Sequence, residues 1–256
     1  MSDPINIDVA IIGGGIMGLW LLKDLKEQKY QAVLLDCGQL GGQQTCHSHV
    51  YIHRGHIYTK EQKQLVQGLS EANHEWAKWI EGNPDVVVSK DSYFGFESEA
   101  SYEDRTQLWK KWRLGAISTD PSELEALYQG DVKYVASAKV DCLDAQQLVR
   151  ALMTPWRDCI VRIKDSSLRA RRLPDASGHI VEAEDTRGKP LQTRCRALVF
   201  AAGAGNRRLL KLGAREGAPA EPNLQIRKAH MLVVRGSKEY VRPLIGISMN
   251  LAGFLL

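Results

Sequence analysis

The sequence predicts an α/β fold, because a buried strand, a glycine turn, a helix and a second buried strand follow one another near its start. Residues 8–12, DVAII, and residues 31–36, QAVLLD, are typical of buried strands. Between them, GGGIMG predicts a tight turn and LWLLKDLKEQKY a helix with one apolar face. Two strands joined by a helix in this way lie parallel in one sheet.

The rest of the chain predicts more helices and strands, so a second domain fits within the 256 residues. Helices are predicted over 60–81, 103–116 and 121–129, and over DAQQLVRALMTPW, which Pro155 ends. Strands are predicted within 86–96 and at CIVRI, GHIVEAED and RALVFAAG. Leu108, Trp109 and Trp112 have helical spacing and are expected in a core rather than on a binding surface.

The composition indicates an ordinary globular protein without extreme charge. Hydrophobic residues make up 44% and charged residues 25%, and the net charge is +4. Basic residues gather near 162–172 and 194–211, but no nucleic-acid-binding motif accompanies them, so no nucleic-acid partner is expected. The five cysteines are scattered and odd in number, which favours reduced thiols and a cytoplasmic location. No apolar run has the length of a membrane span.

The glycine turn has the pattern of a dinucleotide-binding site. Gly13 makes the tight turn, Gly15 lets a pyrophosphate approach the backbone, and Gly18 lets the helix pack on the sheet. Asp36 closes the next strand, where a carboxylate can accept hydrogen bonds from ribose hydroxyls and repel the 2′-phosphate of NADP. The motif alone does not separate FAD from NAD, and a plain glycine-rich turn is the alternative.

Several segments, in order along the chain, resemble the D-amino-acid oxidase family of FAD-dependent oxidoreductases. They are DVAIIGGGIMGLWLLKDL with VLLDCG, AKVDCLDAQQLVRAL, CRALVFAAGAGNRRL and LQIRKAHMLVVRG. The resemblance implies FAD as cofactor and disfavours an NAD-dependent Rossmann dehydrogenase. It also implies a Rossmann-like FAD-binding domain, residues 1–85 and 140–215, with an inserted α+β substrate domain, residues 86–139 and 216–256.

The same resemblance extends the candidate cofactor site beyond the glycine motif. The loop after the acidic residue carries Ser or Thr toward the pyrophosphate in this family, which here is Thr45, and then passes the flavin at Gly55. Gly203 lies in the second small-residue turn. Leu168 falls where relatives place a residue whose backbone contacts adenine.

Four of the seven histidines lie in QQTCHSHVYIHRGHIY, residues 43–58. This loop resembles that of L-2-hydroxyglutarate dehydrogenases and, less closely, that of anaerobic glycerol-3-phosphate dehydrogenases, which share His53, Gly55 and Tyr58. Both relatives have Gly where this chain has Val50, and a small residue in place of Arg54. If residues 47–53 are extended, His47, His49, Tyr51 and His53 share one face.

The resemblance implies oxidation of a small 2-hydroxy acid, with His53 taking a proton from the substrate hydroxyl. Oxidation of an amine or amino acid is the alternative. Arg54, Tyr240 and Arg242 are candidates to hold a substrate carboxylate. Covalent attachment of the flavin to a histidine, a metal site, and histidines that only form hydrogen bonds are further alternatives; no metal is expected, because the spacing is loose.

An electron acceptor other than the substrate is implied, but the sequence does not identify it. Members of the family usually continue well past the point where this chain stops, and its last residues are the apolar RPLIGISMNLAGFLL. We therefore expect a C-terminally truncated chain that binds FAD weakly and turns over little. A truncated, non-catalytic flavin-binding or interaction protein is accordingly an alternative function.

Overall fold

A computed structural model describes residues 4–48, 50–120, 122, 132–175, 177–213 and 244–246. The chain divides into two compact units, Met1–Ser48 with Leu148–Lys228 and His49–Gln147 with Ala229–Leu256. The first boundary lies at Ser48 rather than at residue 85, because Tyr51 and Ile52 form a strand of the second unit's sheet.

The first unit contains a six-stranded sheet. Its strands are β1 (Ile5–Ile12), β2 (Ala32–Asp36), β7 (Ile160–Arg162), β8 (Arg169–Arg172), β9 (His179–Glu184) and β10 (Pro190–Phe200). The strand order is β7-β2-β1-β10-β9-β8. The first four of these are parallel, and β9 and β8 continue the sheet antiparallel. The predicted α/β fold with parallel strands is confirmed.

Helix α1 (Ile16–Glu27) joins β1 to β2 and packs on this sheet. Leu19 and Leu22 of the helix, like Ile11 and Leu34 of the two strands, are fully buried. The polar residues of KDLKE remain on the outer face, where Lys23 forms an ion pair with Glu27 one turn later. Helix α4 (Ala145–Met153) begins in the second unit and ends in the first, and α5 (Asn206–Gly213) follows β10.

The second unit contains a five-stranded sheet. Its strands are β3 (Tyr51–Ile52), β4 (Val87–Phe96), β5 (Ile117–Thr119), β6 (Tyr134–Leu143) and β11 (Leu244–Gly246). The order is β11-β4-β6-β3, and β5 also pairs with β6. All of these pairs are antiparallel except β11 with β4.

Two helices belong wholly to the second unit within the described residues: α2 (Lys63–Glu81) and α3 (Glu99–Trp112). Ser98 caps α3 by accepting a hydrogen bond from the Ser101 N–H, and Arg113 ends it in the left-handed conformation. Trp109 is almost fully buried in a cluster with Phe94, Phe96 and alternate residues of β6. Leu108 and Trp109 are therefore core residues, as their spacing predicts.

Two differences from the sequence expectation have local causes. Helix α3 starts at Glu99 instead of residue 103, because Ser98 provides the cap. Strand β8 was not predicted, because its sequence, RARR, lacks the apolar pattern of a buried strand. The strand lies at the edge of the sheet, where such a pattern is not needed. The helix expected over 121–129 lies outside the described residues, apart from Ser122.

Candidate functional site

The turn after β1 requires glycine at its first and last motif positions for reasons of packing. Gly13 has a φ of 117°, and a Cβ added there would lie 2.6 Å from the Cα of Ala202. A Cβ at Gly18 would collide with the carbonyl oxygen of Gly13. Gly18 therefore lets α1 pack against the turn after β1. Gly13 lets the end of β1 pack against the turn that follows β10.

Gly15 lacks such a packing requirement. Its φ of −77° and ψ of −179° suit any residue, and the nearest atom to an added Cβ is Thr45 Oγ1 at 3.4 Å. Neither backbone conformation nor internal contact therefore explains glycine at this position. A ligand that approaches the backbone closely does explain it, and a pyrophosphate at a helix N-terminus is such a ligand.

The first turn of α1 is arranged to favour an anion. No acidic side chain lies in this turn, and the N-cap residue, Gly15, has no side chain to occupy the helix end. Thr45 is buried, and its Oγ1 accepts a hydrogen bond of 2.9 Å from the Ile16 N–H. The loop after β2 is thereby fixed beside the helix N-terminus, which is where the sequence analysis places Thr45.

Asp36 is fixed at the end of β2 by two backbone groups. Its Oδ1 accepts a hydrogen bond from the Gly14 N–H at 2.8 Å, and its Oδ2 accepts one from the Gly38 N–H at 3.0 Å. Each carboxylate oxygen keeps further lone-pair capacity for a ribose hydroxyl. The residues present therefore fit the ribose and pyrophosphate of a dinucleotide.

The second small-residue turn follows β10 in the same unit. Gly203 has a φ of 54°, and an added Cβ would collide with the side chain of Gln44. Asn206, which the sequence analysis missed, holds this turn: its Oδ1 accepts from the Ala202 N–H at 2.8 Å, and its Nδ2 donates to the Phe200 carbonyl at 3.1 Å. An Asn that follows Gly-x-Gly at a helix start is the signal that could have revealed it.

Leu168 also belongs to the first unit. Its side chain is buried in the core cluster of the sheet, so only its backbone can contact a ligand. Its carbonyl already accepts a hydrogen bond of 2.8 Å from Arg169 Nη1. The structure thus brings into one unit all the predicted cofactor residues except Gly55: Gly13, Gly15, Gly18, Asp36, Thr45, Leu168 and Gly203.

Residues 8–252 match the family model described as FAD dependent oxidoreductase. The chain belongs to this family. Because the family is defined by FAD-dependent enzymes, the prediction that the glycine turn belongs to an FAD-binding fold, rather than to an NAD-dependent one, is confirmed.

The chain is similar to a probable FAD-dependent oxidoreductase, PA4991, of Pseudomonas aeruginosa, with 27% identity over 250 residues that cover 93% of this chain and 60% of that protein. Its crystal structure superposes with a TM-score of 0.57, at 22% identity over 83% of this chain and 52% of that one. The chain therefore spans about 60% of the length of this curated relative.

Two other solved structures share the fold. Glycine oxidase from Geobacillus kaustophilus has a TM-score of 0.62 at 18% identity, covering 81% of this chain and 58% of that one. The L-alpha-glycerophosphate oxidase of Mycoplasma pneumoniae, determined with FAD bound, has a TM-score of 0.60 at 13% identity, covering 81% of this chain and 57% of that one.

The shared face of His47, His49, Tyr51 and His53 was expected only for an extended backbone over residues 47–53, and the described part of this stretch is not extended throughout. Residues 41–47 form turns, and His47 Nδ1 lies 2.7 Å from the Gln43 carbonyl oxygen. Val50 then has a φ of 50°, in the left-handed region, so the backbone is not extended where it enters β3. The boundary between the two units also falls after Ser48. His49 lies outside the described residues.

The remaining predicted residues of this loop lie in the second unit. His53 is half-buried with its ring edge-on to Tyr58, at a centroid distance of 5.6 Å, and Arg54 is exposed. Gly55 has a φ of 119°, and an added Cβ would lie 2.7 Å from a methyl group of Val66, so packing alone requires glycine there. Tyr240 and Arg242 lie outside the described residues.

His56 has a structural place in the core of the second unit. It is fully buried between Phe94 and Trp109, its Nε2 lies 3.2 Å from the Gly115 carbonyl oxygen, and burial lowers its pKa to about 4. Its Nδ1 has no hydrogen-bond partner among the described residues. A histidine kept neutral in an aromatic core is not placed for proton transfer with a substrate.

The described residues contain no group of three or more His, Cys, Asp or Glu side chains able to hold a metal ion. No helix in the described ranges has both the length and the apolar character needed to cross a lipid bilayer. The five cysteines all lie in the described part of the chain, and none forms a disulfide.

Proposed function

We propose that this chain provides the FAD-binding and substrate-binding elements of an oxidoreductase that oxidises a CH–OH or CH–NH carbon of a small carboxylate substrate. The observation that carries the proposal is the glycine at position 15, next to the start of α1, which favours an anion. Within the described residues, neither the backbone conformation nor a contact with the protein requires glycine at this position. When bound, FAD supplies hydride acceptance. The chain's own residues bind and orient the cofactor and substrate.

Each part of the cofactor would be held by a different element. The N–H groups at the start of α1 would bind the pyrophosphate, Asp36 the adenosine ribose, and the Leu168 backbone the adenine. Asn206 would position the turn at Gly203 for the cofactor, since its side chain fixes the backbone of that turn by two hydrogen bonds. Gly55 remains a cofactor candidate only because of its position in the loop. Close packing against Val66 already accounts for a glycine there.

His53 would take the proton from the substrate hydroxyl or amine as the hydride leaves. Its position supports this role, because the ring is half-buried beside Tyr58 and follows directly after β3. Partial burial lets a base exclude bulk water and still reach a ligand. Arg54 is exposed and available to hold a carboxylate, with Tyr240 and Arg242 as further candidates.

The substrate class rests on two kinds of likeness. The loop at His53 resembles L-2-hydroxyglutarate dehydrogenases, which favours a 2-hydroxy acid. The solved relatives include both a glycine oxidase and a glycerophosphate oxidase, so an amino acid is the second candidate. A separate electron acceptor, a cytoplasmic location and the absence of a nucleic-acid partner belong to the same proposal.

The proposal is tested by the absorbance of the purified protein and by anaerobic bleaching of its flavin. We expect flavin bands, bleached by 2-hydroxy acids or amino acids, and His53→Ala should slow bleaching by about 10²- to 10⁴-fold with FAD still bound. His74→Ala is the control, because His74 is an exposed residue of α2 and is not among the candidate site residues. A protein that lacks flavin but binds NADH tightly would refute the proposal. Wild-type bleaching rates in His53→Ala would make that residue structural.

A further inference from the structure

A cavity in the second unit lies between α3 and residues 115–118, which lead into β5. Its volume is about 520 Å³, within the range of small-molecule sites. Its innermost lining residues, Trp109 and Ala136, are almost fully buried, so the cavity reaches down to the aromatic core. None of its described lining residues is a candidate cofactor or substrate residue.

One face of α3 forms a wall of the cavity. Five of its residues line the cavity at spacings of three or four positions, which places them on the same side of the helix: Tyr102, Thr106, Trp109, Lys110 and Arg113. The helix ends here, and its Trp109 and Lys110 carbonyl oxygens accept hydrogen bonds from the Leu114 and Arg113 N–H groups. These acceptors are therefore already used within the protein.

The polar groups of the cavity favour a negatively charged ligand. Lys110 and Arg113 are exposed, and neither forms an ion pair with another described residue. Gln107 and Ser118 add an amide and a hydroxyl, and their side chains have no hydrogen bond within the described residues. The described lining contains no acidic side chain. Two cations and two hydrogen-bond donors therefore face the cavity without compensation from the protein.

The apolar part of the cavity consists of rings that the core holds in place. Tyr102 packs against Phe96 and Tyr134, with ring centroids 5.5 Å and 5.8 Å away. Trp109 Nε1 donates a hydrogen bond of 2.8 Å to the His56 carbonyl oxygen. A surface of fixed rings loses little conformational freedom when a flat ligand binds to it, so it is preorganised for one.

We propose that this cavity binds a small organic anion with a flat apolar body, at a site that excludes the proposed substrate residues His53 and Arg54. The body of the ligand lies against the rings of Tyr102 and Trp109. Its anionic group, a phosphate or a carboxylate, lies at Lys110 and Arg113, where the guanidinium can bind it with two parallel hydrogen bonds. This inference goes beyond the proposed oxidation, because it needs neither the flavin nor the substrate.

Titration calorimetry of the full chain tests the site with four probes: phenyl phosphate, benzoate, benzyl alcohol and inorganic phosphate. We expect at least one of the two aryl anions to bind, and their ranking tells a phosphate site from a carboxylate site. Benzyl alcohol and inorganic phosphate should each bind at least about tenfold more weakly than that anion, because each lacks one part of the contacts. Saturable binding of neither aryl anion, or equal binding of benzyl alcohol, would overturn the proposal.

A double variant, Lys110→Gln with Arg113→Asn, removes both positive charges. Asn suits position 113, where φ is 57°, and we expect anion binding to weaken by about tenfold or more. Lys111→Gln is the matched control, because Lys111 is exposed on the same helix but does not line the cavity. An equal loss in this control would reduce the effect to general surface charge and overturn the assignment.

Two further variants locate the bound anion. Ala116→Trp fills the cavity without changing its charge and should abolish binding. Arg54→Gln alters the proposed substrate site, is remote from the lining in sequence, and should leave anion binding unchanged. Retained binding in Ala116→Trp, or its disappearance in Arg54→Gln, would place the anion elsewhere and contradict the proposal.

Discussion

Thr45 Oγ1 accepts a hydrogen bond from the backbone N–H of Ile16 at 2.9 Å, across a sequence separation of 29 residues. This bond joins the loop after β2 to the first turn of α1. Since Thr45 is buried, water does not replace the lost partner if the hydroxyl is removed. One side chain therefore orders the loop and satisfies a helix N-terminal donor.

Replacing Thr45 with Val removes this acceptor at nearly constant volume. We expect the free energy of unfolding to fall by about 1 kcal/mol, within the range of N-terminal cap losses, and the FAD affinity to fall with it. Chemical denaturation and flavin titration measure the two effects. Thr45→Ser keeps the hydroxyl and should retain both properties; a Thr45→Val protein as stable as wild type would show that the bond contributes nothing.

Gly15→Ala tests the cofactor cradle without disturbing the fold. The added methyl group has room, with Thr45 Oγ1 at 3.4 Å as its nearest neighbour, and the backbone conformation suits alanine. We expect the melting temperature of the FAD-free protein to be nearly unchanged and the FAD affinity to fall by at least about tenfold, since the methyl group occupies the pyrophosphate approach. Melting curves and flavin-to-protein ratios report the two quantities.

Two substitutions serve as controls for Gly15→Ala. Gly68→Ala lies in α2 with no atom within 4 Å of the added carbon and should stabilise the protein by up to about 1 kcal/mol without affecting FAD. Gly13→Ala should unfold or strongly destabilise the protein, because its φ is 117° and Ala202 is too close. Unchanged FAD affinity in Gly15→Ala would remove the basis of the cofactor assignment.

Burial of His56 predicts that stability falls as the pH decreases. Its pKa is about 4 in the folded protein, against an ordinary value of 6.5 in the unfolded chain. Between these values the unfolded chain binds a proton that the folded protein excludes, so stability is full above pH 6.5 and declines until about pH 4. The loss from this residue is on the order of 3 kcal/mol. Urea denaturation at a series of pH values measures it.

A direct NMR titration of the His56 ring provides the decisive comparison. His74→Gln is the matched control, because His74 is exposed on α2 and its removal should leave the decline intact. His56→Met, if it folds, should lack most of the decline. A folded-state His56 pKa near 6.5 would contradict the prediction.

Val50 is a β-branched residue in the left-handed region, with a φ of 50°. Such a conformation costs about 1–2 kcal/mol for a residue with a Cβ and little for glycine. We expect Val50→Gly to be nearly neutral or stabilising in thermal unfolding. Val88→Gly is the comparison, since Val88 is an exposed valine in β4, and that change should lower stability by about 1 kcal/mol. Equal losses in both variants would argue against strain at Val50.

The sequence was sufficient for the parts of the fold that depend on local pattern and spacing. The strand, glycine turn and helix around Gly13 could be predicted because each residue has a separate steric or electrostatic reason to be there. Thr45 could be named only through the family resemblance, since its partner Ile16 is 29 residues away. Asn206 was missed, because its role depends on the folded turn that places the Ala202 N–H and the Phe200 carbonyl next to its side chain.

The histidine loop shows why proximity in sequence is a poor guide to a site. His47, His49, Tyr51 and His53 were expected on one face of an extended segment, but residues 41–47 form turns and Val50 has a left-handed φ. His56 enters the aromatic core, whereas His47 remains exposed. Backbone reversals of this kind leave no periodic pattern in the side chains, so the period-2 assumption fails there.

The central position of β1 has a consequence during protein synthesis. Ile5 must pair with Thr193, and at about 5–20 residues per second the ribosome needs roughly 10–40 s to produce that partner after β1 has been made. Throughout this interval one edge of β1 has no native neighbour, while β4 and β6 emerge and can pair with each other. The nascent chain therefore carries an unpaired edge of a hydrophobic strand for roughly 10–40 s, an interval in which it is prone to aggregate.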